Sequence, residues 1–309
     1  MAGSGRHGLV ISLVARVGLA VGLLVVCGCD GDAKKPAAGS VTPSAPGSVE
    51  PTPTKSKAPV KRVVKVPSGV MAGYVVFDRE ARKVLVQHDV HQTFRSASVV
   101  KILLALDYLE RRGKPEGSEL ELMRVMLRSS DDHAATHFWA EGGKGAIIER
   151  MARKLGLTET APPPADKPGF WGYTALSAAD VLKTYRYLVE RAPGEDREFV
   201  VGQLKRATQC GTDHFDQFFG IPRAVPKPWA IKQGWSGFGD VPAEACREGT
   251  FRPVSGPFLG LGRPVLHTTG LLGDNKIMVL LTLHPAGSTY AEASKTITKL
   301  AGEIYRASS

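Results

Sequence analysis

No segment of the sequence repeats at a fixed period, which excludes a solenoid of stacked units. The chain also lacks a convincing membrane span: the N-terminal run "VGLAVGLLVVCGC" is too short and too closely followed by polar sequence. Aromatic and basic residues do not interleave in the folded part, so nucleic acid is not expected as a partner. His133 and His137 stand four apart on a predicted helix, but no Glu follows His133 in the zinc-protease manner. Two histidines beside Asp132 do not close a ligand set, and no metal or cofactor is expected. Glycine clusters such as "GLGRP" lack the strand-to-helix setting that phosphate binding needs. Cysteine is scarce, with four residues.

What is present begins with Arg6 and Arg16 ahead of that apolar run, the pattern of a secretory signal over residues 1–28. The run ends on Cys27-Gly28-Cys29, which resembles a bacterial lipobox with Cys29 as the lipidated residue. The competing reading is an ordinary signal peptide with a fortuitous cysteine. Residues 29–66 are rich in Pro, Ser, Thr, Ala, Gly and Lys and read as a tether. Between Ala33 and Lys65 seven basic residues face one acid, Glu50, so most of the net charge of +10 belongs to the tether. Either it holds the chain near anionic head groups or wall polymers, or it is a solvated spacer. The expected location is outside the cell, lipid-anchored to the outer face of the bacterial cell membrane.

Residues 67–309 are ample for one sizeable core. If Cys27 leaves with the signal and Cys29 is acylated, Cys210 and Cys246 remain in an oxidising compartment. A disulfide between them would close 35 intervening residues, worth roughly 3 to 4 kcal/mol in the chain-entropy model. The alternative is two separately buried thiols.

The runs "VMAGYVVFD" and "KVLVQHD" around a polar turn predict an antiparallel hairpin. Helical patterns follow from "FRSASVVKILLALDYLE" through "DREFVVGQLKRA", one of them ended by Gly156 and another opened by Ser177 and Asp180 at capping-box spacing. Strand character returns in "WAIKQGW", "VLHTTGLL" and "KIMVLLTLHP", before a terminal helix. Two strands first, three last and a helical middle predict an α+β domain: an antiparallel sheet flanked by N- and C-terminal helices, with an all-helical lobe beside it.

The chemistry-bearing candidate lies at the start of the first helical pattern. Ser98-Val99-Val100-Lys101 is the one place where lysine follows serine by three residues. At a helix start the serine oxygen meets the positive end of the helix dipole, and Lys101 lies one turn along on the same face. Buried among Val and Leu, such a lysine is costly as an ammonium and can be held partly neutral, as the activating partner of a nucleophile requires.

Further along, "LRSSDDHAATHF" supplies Ser130-Asp131-Asp132 and "AIKQGWSG" supplies Lys232-Gln233-Gly234 on a predicted strand. In this order the three pieces resemble the S-x-x-K, S-D-N and K-T-G motifs of the class A β-lactamase and penicillin-recognising D,D-peptidase family, from about Met71 to the C-terminus. The likeness is nearest to bacterial lipoproteins of that fold described as serine hydrolases, which share the "WGYTALSAAD" type of segment, here Trp171 to Asp180. The resemblance implies Ser98 as the acylated nucleophile, Lys101 as its proton acceptor and Ser130 as a proton shuttle. It gives Lys232 the binding of a substrate carboxylate. The Ser98 N–H and one near Trp235 or Ser236 would form the oxyanion hole. Asp132, Gln233, Gly234, Trp235 and Ser236 fall at substrate-contacting positions. Implied partners are a peptidoglycan stem peptide or a β-lactam, acted on by a monomer.

Three departures matter. Asp132 replaces an Asn, turning an amide donor into a carboxylate. Gln233 stands where Thr or Ser grips the substrate carboxylate. No E-x-x-L-N segment supplies the carboxylate that activates the deacylating water; "TETAPPPADKPGFWGYT" offers only Glu159 and Asp166. An acylating serine hydrolase with slow deacylation is therefore expected. The alternative is a non-catalytic, cell-wall-associated lipoprotein that keeps the fold.

Overall fold

A computed structural model describes residues 64–167, 169–239, 242, 245–248 and 262–309. The signal segment, Cys29 and nearly all of the tether lie outside these residues. Five strands form one antiparallel sheet in the order β2-β1-β7-β6-β5: β1 (Met71–Asp78), β2 (Lys83–His88), β5 (Trp229–Ser236), β6 (Val265–Leu272) and β7 (Lys276–Leu283). The first hairpin and the last three strands thus meet through β1 and β7, from Met71 opposite Leu283 to Asp78 opposite Lys276. Two three-residue strands, β3 (Thr93–Arg95) and β4 (Ala175–Ser177), pair in a second small sheet.

The central strands are buried on both faces, and strand alternation divides their side chains between two cores. Val75, Phe77, Ile277, Val279 and Leu281 join the core shared with the helical half. Tyr74, Val76, Met278 and Leu280 join the core under the last helix, α8 (Tyr290–Ala307). The helical half comprises α1 (Lys101–Arg112), α2 (Gly117–Arg128), α3 (Asp132–Glu141), α4 (Gly145–Leu155), α5 (Ala178–Glu190) and α6 (Gly194–Lys205); the short α7 (Ile221–Ala224) packs on α8. Among the described residues no helix is long and apolar enough to cross a membrane.

Local chemistry explains the boundaries that matter here. The pattern beginning at Phe94 is not helical from its start. Phe94 and Arg95 belong to β3, Ala97–Val100 form a 3-10 turn, and α1 begins only at Lys101. Asp131 caps α3 by accepting the Ala134 N–H at 2.6 Å. Ser177 caps α5 through the Asp180 N–H at 3.1 Å, while the Asp180 carboxylate turns away to the N–H groups of Thr158 and Glu159. Gly156 ends α4 in the left-handed conformation. Inside the helical half the buried Asp107 is answered by Arg111 at 2.8 Å and Arg150 at 2.8 and 2.9 Å, so its charge is paired.

Candidate active site

Ser98 sits, buried, in the 3-10 turn that leads into α1. The residue before it, Ala97, adopts φ 44°, a left-handed conformation that costs a non-glycine residue energy and persists only when its surroundings impose it. Those surroundings are visible: Ser96 N–H donates to Thr174 O at 2.7 Å, and its hydroxyl faces the carbonyls of Trp171 and Gly172.

Strand β5 supplies the opposite wall. A Cβ on Gly234 would stand 3.1 Å from Ser96 O and 3.2 Å from Ser98 N, so any larger residue would require the strand or the serine backbone to give by a few tenths of an ångström. Alternation then sorts the rest of β5. Lys232, Gly234 and Ser236 face the serine turn. Gln233 and Trp235 face the segment 208–219, where Gln233 donates to Gln217 O at 3.1 Å and Phe219 O at 2.6 Å, and Trp235 donates to Asp213 at 2.8 Å. Gln233 therefore does not stand beside Lys232 as a ligand-gripping side chain; its amide NH2 is spent on the protein's own backbone, and its Oε1 is buried without a partner among the described residues.

Lys101 and Lys232 converge on Ser130. Its φ of 59° turns both its carbonyl and its hydroxyl toward Lys101, at 2.5 and 3.4 Å from Nζ, and the same hydroxyl accepts from Lys232 at 2.8 Å. Lys232 is held in turn by the Thr269 hydroxyl on its carbonyl, and Thr269 meets the Tyr185 hydroxyl of α5 at 2.9 Å. Both ammonium groups are sealed from water. Burial lowers the Lys101 pKa, opposed by Asp132, whose Oδ1 lies 2.6 Å away. Burial, and next the charge of Lys101, drive Lys232 well below the ordinary lysine range.

Contrary to the simplest reading of the S-x-x-K spacing, the Lys101 bonds run to Ser130 and Asp132. Among the described residues the Ser98 hydroxyl has no hydrogen-bond partner. Activation of Ser98 thus requires Lys101 to give up its proton first.

Three contributors escape a sequence reading. Trp171 lays its ring 4.5 Å from Lys101 Nζ and is fixed there by Thr136. Asp213, largely buried, is pushed upward in pKa by burial, and its field reaches both lysines. Arg95 reaches the end of β5, at Ser236 Oγ and O. Of the two loop carboxylates, Glu159 is bound to Thr158, Ser177 and His91, away from the lysines, and Asp166 is exposed. His137 pairs with Glu119 of α2 at 2.8 Å. Cys210 and Cys246 are joined, with Cα atoms 5.5 Å apart, and the bridge anchors the segment that carries Asp213.

This architecture is the class A β-lactamase fold. It is similar to a class A β-lactamase from Mycobacterium abscessus (TM-score 0.56, 18% identity, 77% of this chain and 94% of that one). It is equally similar to PBP-A (TM-score 0.55, 15% identity, 80% and 93%), of which a mutant was solved as an acyl-enzyme complex with penicillin G (TM-score 0.54, 16% identity, 78% and 90%). No protein-family model matches the chain. The sequence is 33% identical over 241 residues to "Putative lipoprotein LppW" of Mycobacterium tuberculosis and of Mycobacterium bovis, covering 74% of this chain and 68% of the relative. The chain belongs to the LppW family.

Proposed function

We propose that the chain is an exported serine hydrolase that forms a covalent acyl-enzyme at Ser98 on a β-lactam or a D-alanyl peptide amide. The observation that carries this reading is the bond chain from Lys101 through Ser130 to Lys232, sealed in low dielectric behind a serine at a helix start. In the reaction Ser98 Oγ adds to the carbonyl carbon and its proton passes to neutral Lys101. The tetrahedral oxyanion is stabilised by the Ser98 N–H and an N–H of β5 beyond Gly234. Collapse breaks the C–N bond, and the departing nitrogen takes a proton from Ser130, replenished from the lysines. Lys232 and Ser236 border the side of the site suited to a substrate carboxylate.

Hydrolysis of the acyl-enzyme is slow in this proposal. Among the described residues the carboxylate bonded to Lys101 is Asp132, whose Oδ1 is taken up by the ammonium, and the Trp171 indole lies over the same Nζ. Residues 1–28 serve as the signal and Cys29 as the acylated anchor, a reading supported by the lipoprotein name of the LppW relatives. Residues 29–66 tether the domain to the membrane.

The test is intact mass spectrometry after exposure to benzylpenicillin, with Ser98→Ala in parallel. A persistent adduct on the wild type alone supports the proposal. A transient adduct with substrate loss points to an efficient β-lactamase. No adduct on a folded protein with several β-lactams favours the non-catalytic wall-associated lipoprotein, for which the Lys101–Asp132 pair and the committed Gln233 are the supporting features.

A further inference from the structure

Asp132 differs from the other charged groups around Ser130 in the direction it faces. Lys101 and Lys232 are 0% and 1% exposed, whereas the Asp132 side chain is 68% exposed. Its Oδ1 is held by Lys101 at 2.6 Å; among the described residues its Oδ2 has no partner. An anionic oxygen with open coordination therefore borders the approach to the site, one bond from the lysine that must deprotonate Ser98. An ionised carboxylate only accepts hydrogen bonds, so it attracts N–H and ammonium groups and repels carboxylates and carbonyl oxygens. The end of β5, the strand that carries Lys232 and Gly234, has the opposite character: Arg95 donates there to Ser236 Oγ at 3.4 Å and to Ser236 O at 3.3 Å, and to Arg263 O at 2.7 Å.

We infer that Asp132 selects acyl donors carrying an ammonium group next to the scissile carbonyl, as a peptide with a free N-terminal amine does. The inference rests on the reading of Ser98 as the acylated nucleophile and adds to it the charge class of the acyl group. Recognition and activation are then linked. An ammonium on Oδ2 weakens the hold of Asp132 on the Lys101 proton. That proton leaves through Asp132, the exposed group bonded to Lys101, to water, and the neutral amine remains to accept the Ser98 proton. A substrate with an acylated or succinylated amine lacks this cation and, when succinylated, brings a like charge to the carboxylate.

The experiment uses the full chain in detergent and follows release of p-nitroaniline in single turnover from three substrates: D-alanine p-nitroanilide, its N-acetyl derivative and its N-succinyl derivative. A fluorophosphonate probe, which carries neither charge, reports the nucleophilicity of Ser98 separately. The free-amine substrate is expected to react about tenfold faster than the N-succinyl one, and Asp132→Asn to bring the two within about threefold. The wild-type ranking decides even if the variant folds poorly. Equal rates, a preference for the N-succinyl substrate, or no release from any of the three while the fluorophosphonate still labels Ser98 would overturn the role of Asp132 and leave the serine hydrolase standing. Absence of fluorophosphonate labelling removes both.

Discussion

The ring of Trp171 covers the ammonium of Lys101 at 4.5 Å, in a pocket whose other neighbours are Ser130 and Asp132. A cation over an indole face is favourable, more so when desolvated; in the proposed reaction the indole would also limit the approach of water to the acyl-enzyme.

Removing that cover has a measurable effect. Trp171→Ala is expected to shorten the lifetime of a Ser98 acyl-enzyme by about tenfold or more, equivalent to about 1.4 kcal/mol in the barrier. The lifetime is read from the decay of the penicilloyl adduct by mass spectrometry. An unchanged lifetime would mean that Trp171 does not control water access.

The state of Lys101 sets the pH dependence. Because burial lowers its pKa below the ordinary 10.5, acylation should rise with pH through an inflection below that value as the ammonium loses its proton. Asp132 favours the ammonium, so Asp132→Asn should move the inflection to lower pH. A shift to higher pH, measured on benzylpenicillin acylation rates, would contradict this role.

Gly234 relieves a tight contact between β5 and the serine turn. Gly234→Ala places a Cβ 3.1 Å from Ser96 O and 3.2 Å from Ser98 N, both backbone atoms with little room to yield. Acylation should fall by about tenfold as β5 is displaced by a few tenths of an ångström from the serine, with the fold retained. Circular dichroism together with adduct formation checks both halves.

Acid should destabilise the sheet through two histidines. His267 and His284 are buried, and burial holds each at about 4 against an ordinary 6.5. The unfolded chain therefore binds more protons between these values. Their contribution is fully present above pH 6.5 and is lost as pH falls toward 4, by up to roughly 3 kcal/mol for each. Urea unfolding at pH 7 and at pH 4.5 should show the loss, reduced in His284→Gln; equal losses in both proteins would exclude His284 as a source.

Much of the fold can be read from the sequence because its long strands and helices have clear periods. β3 and β4 cannot: three residues are too few to show alternation, and what pairs Phe94 with Leu176 is the path of the chain between them. Ser98, Lys101, Ser130 and Lys232 stand out by spacing. Trp171 and Asp213 do not stand out as neighbours of the lysines, since an aromatic in a 3-10 turn and an acid two residues after a glycine carry no periodic mark. Gln233 is a different case. Alternation from Lys232 already places it on the opposite face, a signal that motif matching alone conceals.

The stretch from Thr208 to Phe219 holds no reacting group, yet it spans the site. Thr208 N–H reaches Arg128 O at 3.1 Å and Thr212 N–H reaches Ser129 O at 3.0 Å, while Gln233 donates to the carbonyls of Gln217 and Phe219. The turn carrying Ser130 and the strand carrying Lys232 are thus joined largely through main-chain atoms, which are the same whatever side chains the stretch bears. Its length is fixed by these bonds, and Cys210, Asp213, Phe215, Gln217 and Phe219 are fixed in kind as well, each bridged, bonded or buried. A single inserted or deleted residue would carry Ser129 and Gln233 out of reach of their partners together, and with them the spacing of the two lysines on one hydroxyl.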